Sequence, residues 1–184
     1  MNAQTRSRLS RARRNYWGCQ RGAAAAEFAL VLTLLTIPLL NAFDIGVYVY
    51  QRMELDNAAQ VAVQAAWSQC AVTGKVPATV NSNCAGLSTA MTTAIKSTPL
   101  GTGVSITSTT ESYCCPGSGT ISCSGAGLGP VASTTPGTCT ASGQAPGDYI
   151  FITASYTYSP IYSSVSVASL LATPIVRTAW MRLS

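Results

Sequence analysis

Sixteen consecutive residues, Phe28 to Phe43, carry no charge and read FALVLTLLTIPLLNAF. Four alanines, Ala23 to Ala26, precede this run, and after Asp44 it continues as IGVYVY to Tyr50. A helix that crosses a bilayer needs about 20 mostly apolar residues at a rise of about 1.5 Å each. Residues 23–50 meet that requirement, so the pattern predicts one transmembrane helix. Pro38 falls inside it, where a membrane helix tolerates a kink. Asp44, Tyr48 and Tyr50 are expected at the outer interface, where aromatic rings and a snorkelling carboxylate are accommodated.

Charge sets the expected orientation. Arg6, Arg8, Arg11, Arg13, Arg14 and Arg21 precede Gly22, and no acidic residue does. From Ala23 onward five basic and six acidic side chains nearly cancel. The net charge of +5 therefore belongs to a tail beside an apolar run. Such a tail marks a cytoplasmic flank under the positive-inside rule. Nothing else in the chain offers a basic, aromatic-interleaved surface, so nucleic acid is not an expected partner. Two other targeting readings fit poorly. A cleaved secretory signal would use Leu40-Asn41-Ala42, which has an unfavourable residue at −3. A lipoprotein signal would use Cys19, which no apolar stretch precedes.

Six cysteines follow the apolar run: Cys70, Cys84, Cys114, Cys115, Cys123 and Cys139. An even number beyond a membrane is the pattern of a disulfide framework, and six cysteines allow fifteen pairings. Cys114 and Cys115 are adjacent and strained as partners, so each is expected to bond elsewhere. Zinc is the rival use, but the chain has no histidine and no paired CxxC knuckles. No metal or cofactor is expected. The same lack of histidine, with no G-x-S-x-G elbow and no phosphate loop, argues against an enzyme.

Past Tyr50 the sequence QRMELDNAAQVAVQAAW has no glycine or proline until Gly74, so the helix is expected to continue out of the membrane over 51–69. Leu55, Ala59, Ala62 and Ala66 share one face. That face suits cover for the protein's own sheet, or close packing against neighbouring copies. A domain over 70–184 follows. Residues 86–97 have the spacing of a short helix, with Leu87, Met91, Ala94 and Ile95 in register. Strands are expected from Val104 to about Tyr113, over 149–158, and over 175–183. In the second, Phe151, Thr153, Ser155 and Thr157 oppose Ile152, Ala154, Tyr156 and Tyr158. Ser163 to Leu171 is apolar but fits neither period. Residues 114–148 hold eight of the fifteen glycines and four cysteines, and read as a long irregular loop tied by disulfides. The fold class is α+β: a long N-terminal helix packed on a small antiparallel sheet.

At the membrane entrance stands Arg21-Gly22-Ala23-Ala24-Ala25-Ala26-Glu27-Phe28. An ionisable group at the start of an apolar helix is a functional candidate. This stretch resembles the processing site of prepilins of the tight-adherence (Flp) pilus, in which a membrane peptidase cuts after glycine, with Glu at +5 and an aromatic at +6. Gly22, Ala23, Glu27 and Phe28 fill those places. The single N-terminal span and RGAAAAEFALVLTLL look most like the TadE-like pseudopilins. Phe28 departs from the family's usual tyrosine, and the first proline, Pro38, comes late.

The resemblance implies a pilin-like fold and cleavage of a leader, residues 1–22. It implies a prepilin peptidase, other pilus subunits, inner-membrane assembly proteins and the lipid bilayer as partners. It places the chain in the bacterial inner membrane, C-terminal domain periplasmic, incorporated into or beneath the fibre. A competing reading is an uncleaved, membrane-anchored envelope protein whose Cys-rich loop binds a surface or partner.

Overall fold

The computed structural model describes residues 20–71, 77–78, 83–117, 120–140, 142–164, 166–171 and 173–184. The arginines at 6–14, Cys19 and the side chain of Arg21 lie outside the described residues. Helix α1 runs without a break over Gln20–Cys70, 51 residues, or about 75 Å. Pro38 sits inside it. The alanine-rich, glycine-poor sequence favours this length.

A short helix, α2 (Leu87–Lys96), follows. Gly86 at its start has φ +83°, a left-handed conformation that favours glycine. Leu87, Met91 and Ile95 are its buried residues, and Ala94 is half-buried. Among the described residues five strands follow: β1 (Val104–Pro116), β2 (Ile121–Ser122), β3 (Gly129–Pro130), β4 (Gly147–Tyr156) and β5 (Ile175–Arg182). Central β4 pairs antiparallel with β1 and β5, and the short β2 and β3 pair with the far end of β1. A register shift interrupts the β1–β4 ladder between Ile106 and Ser108.

The core lies between this sheet and the C-terminal half of α1. Leu55, Ala59, Ala62 and Ala66 are all buried, with Ala58 and Val63 beside them. They face α2, β4 and β5, so the small-residue face covers the protein's own domain. On β4, Ile150, Ile152 and Ala154 are fully buried. Ile152 and Ala154 fall on one of the two faces that the period-2 pattern separates, and the structure turns that face inward.

The region 114–148 differs in part from the irregular loop expected. Cys114 and Cys115 belong to β1, because that strand keeps pairing with β4 through Cys114 and with β2 through Pro116. Disulfides Cys114–Cys123 and Cys115–Cys139 leave opposite sides of the strand, since successive side chains alternate. Within the loop the backbone crosses itself at Gly127 and Gly137, where the Gly137 amide donates to the Gly127 carbonyl at 3.1 Å. A Cβ on Gly127 would stand 2.3 Å from Gly137 Cα. The third disulfide, Cys70–Cys84, ties the end of α1 to the approach to α2. A crosslink spanning a loop of about 15 residues contributes about 3 kcal/mol.

Candidate functional site: the membrane helix and its junction with the domain

Residues 22–39 of α1 are exposed on every side. Phe28, Leu30, Val31, Leu32, Leu34, Leu35, Ile37 and Leu39 are all exposed. The most apolar stretch of the helix is 0% buried and has a mean hydropathy of 2.0. It is long and apolar enough to cross a membrane. Three of its polar side chains donate hydrogen bonds within the helix. Thr33 and Thr36 hydroxyls donate to the carbonyls of Ala29 and Leu32, and Asn41 Nδ2 donates to Ile37 O at 2.9 Å. Hydrocarbon demands this, because an unsatisfied polar group there has no water to turn to.

Gly22, Ala23, Glu27 and Phe28 lie on the first turns of this helix, all exposed. Among the described residues no atom beyond its own helix backbone and chain neighbours approaches within 4 Å of a Cβ built on Gly22. Helical geometry sets Ala23 and Glu27 one turn apart, so the carboxylate and the backbone nitrogen of Ala23 share a face. The six cysteines stand apart from them, in the domain, and are all consumed in disulfides.

Asp44 departs from the sequence expectation. It does not snorkel into solvent: its exposure is 0%. Its two carboxylate oxygens accept hydrogen bonds from the backbone amides of Ile161 and Tyr162, each at 3.2 Å. The Tyr158 hydroxyl donates to the Asp44 carbonyl at 3.0 Å, and the Tyr158 ring packs edge-on against Tyr48 at 5.2 Å. One turn earlier, Asn41 Oδ1 accepts from the Val167 amide at 2.6 Å. Asn41 and Asp44 thus present two polar side chains on one helix face, and both clasp the connection between β4 and β5. Tyr50 is exposed, whereas Tyr48, expected beside it at the interface, is buried against Tyr158. Residues 163–171, which fit neither period, contain a 3₁₀ turn, Val167–Leu170, closed by the Ser166 side chain accepting from Ala168 N. Sequence reasoning missed this clasp. Its one signal was the Asn-x-x-Asp spacing inside an apolar run.

A second polar cluster lies at the far end of the sheet. Glu111 and Asp148 are both buried. Glu111 Oε1 accepts from the Ala78 amide at 2.7 Å. Among the described residues neither Asp148 oxygen meets a hydrogen-bond donor. Burial first, then repulsion and a hydrogen bond from Glu111, push the Asp148 pKa up to about 7. Two carboxyl groups bond to each other only by sharing a proton, and the shift expresses that. Burial and the same two carboxylates also raise the Tyr113 phenol.

A long helix, bare and apolar in its first part and covered by a small antiparallel sheet in its second, defines an α+β chain with one helix long and apolar enough to cross a membrane. Residues 22–64 match the family model described as TadE-like protein. That segment opens at Gly22 and closes one residue past Val63, within the buried face of α1. No curated protein and no solved structure matches the chain.

Proposed function

We propose that this chain is a minor pilin, or pseudopilin, that supports assembly of a tight-adherence pilus. It is a structural subunit and not an enzyme. Its α1 crosses the bacterial inner membrane with the arginine-rich tail on the cytoplasmic side. A prepilin peptidase removes residues 1–22, and the domain stands in the oxidising periplasm. Three disulfides suit that compartment. The observation that carries the reading is the placement of Gly22, Glu27 and Phe28 at the head of a bare apolar helix, inside the segment that the TadE-like family matches.

The chemistry gives Glu27 a role. Cleavage after Gly22 frees an α-amine on Ala23, ordinarily charged at neutral pH. A carboxylate one turn along pairs with that amine, or with the amine of a neighbouring subunit. In a poorly hydrated setting each charge needs the other, so pairing fixes the axial register of packed helices.

Co-expression with the cognate prepilin peptidase tests this. The wild-type mass falls by residues 1–22, the Gly22→Val variant keeps its full mass, and Glu27→Gln is cut but co-purifies poorly with sister subunits. Equal masses for wild type and Gly22→Val would overturn processing, and an intact N-terminus would favour the uncleaved anchored binder.

A further inference from the structure

The connection between β4 and β5 exposes apolar side chains at the level where α1 leaves the membrane. Ile161 is 58% exposed, Val167 51% and Leu170 85%. In a water-facing loop such residues would be out of place together. Their height is fixed by the clasp: Val167 is bonded to Asn41 and Ile161 to Asp44. Residues 23–43 of α1 measure about 31 Å, the thickness of a hydrocarbon core. Asp44 therefore marks the edge of that core, and Asn41 lies about 4.5 Å inside it.

We propose that the β4–β5 connection enters the membrane alongside α1 and rests Ile161, Tyr162, Val167 and Leu170 in the lipid of the leaflet nearest the domain. The proposal rests on α1 spanning the bilayer. Three independent features point to lipid as the occupant. The apolar surface is continuous with that of the membrane helix, through Phe43, whose ring stands 6.5 Å from that of Tyr162. No charged residue occurs from Tyr149 to Val176. Six amides of the segment also find partners within the protein, as hydrocarbon requires and water does not. The amides of Ile161, Tyr162 and Val167 go to Asp44 and Asn41, that of Ser166 to Tyr162 O, that of Ala168 to Ser166 Oγ and that of Leu171 to Ala168 O. Tyrosine rings at this height match the aromatic belt of a membrane interface.

The consequence is mechanical. A helix anchored alone swivels about its exit point. A second lipid contact, joined to the helix by buried hydrogen bonds, fixes the tilt and rotation of the domain above the bilayer.

The test places the photoreactive residue benzoylphenylalanine singly at Leu35, Leu170 or Thr135 of the full chain, in nanodiscs holding one copy. Leu35 lies in the bare helix, and Thr135 is exposed in the far disulfide loop. Leu170 is exposed, so the substitution leaves the core untouched. Irradiation is expected to yield lipid adducts by mass at 35 and 170 and none at 135. Lipid adducts at 35 but not at 170 would overturn the proposal alone. Adducts at 170 only to a second copy, in vesicles carrying many, would replace lipid with a subunit interface. Failure at both 35 and 170 would remove the membrane reading and this proposal with it.

Discussion

The two halves of α1 are built from similar residues and live in opposite surroundings. Over residues 22–39 the helix is largely apolar and buries nothing. After Asp44, one face of small residues is covered while exposed Asn57, Gln60 and Gln64 keep the other side polar. The contrast teaches that hydrophobicity alone does not say what a helix packs against. A helix apolar all round needs an apolar solvent; one with an apolar stripe needs a single partner layer. Asp44 stands at the changeover and belongs to neither regime, because it is buried by hydrogen bonds to a distant loop.

The sharpest way to break the comparison is the same substitution in both halves. Leu55→Asp places a carboxylate in a fully buried site and is expected to cost more than about 4 kcal/mol, enough to unfold the domain. Leu35→Asp is expected to leave the domain protease-resistant and to weaken membrane insertion by about 2.5–3.5 kcal/mol. Limited proteolysis with carbonate extraction reads both effects. Similar loss of the domain in each would show that the lower half supports the fold.

A smaller effect is expected at the changeover. Asp44→Ala strands the amides of Ile161 and Tyr162, for a loss of about 2–3 kcal/mol. Hydrogen exchange should speed up at those two amides and at Val167, while β4 stays protected. Unchanged exchange would show that the clasp does not hold the loop.

The smallest effect sharpens the comparison at the far end of the sheet. The Asp148 pKa is raised from 3.8 to about 7. The folded state therefore holds a proton that the unfolded state has lost, and stability falls as pH rises from about 4 to about 7, then levels. Asp148→Asn keeps a donor toward Glu111 and carries no charge. It is expected to flatten that slope and to add about 2 kcal/mol at pH 8. Thermal melts of both proteins across this range decide it; parallel curves would mean the pair does not share a proton.

Much of this was legible along the chain. Periodicity located α2, the two faces of β4 and the covered face of α1, because each depends on side-chain direction along one local element. The expected strand over 149–158 is displaced by two residues in the structure, as β4 begins at Gly147 opposite Cys114. The 114–148 region was legible only as composition, since pairing of β1 with β2 and β3 depends on chain reversals that glycine permits but does not specify.

By itself the sequence determined the bare apolar helix, the split in charge, the motif around Gly22 and Glu27, and an α+β domain stapled by cysteines. Those are properties of neighbouring residues, and composition and spacing carry them. Tertiary structure alone decided which cysteines pair, that Glu111 and Asp148 meet, and that Asp44 turns inward to hold residues more than 110 positions away. Each of these joins groups remote in sequence, and only the folded chain brings them within bonding distance.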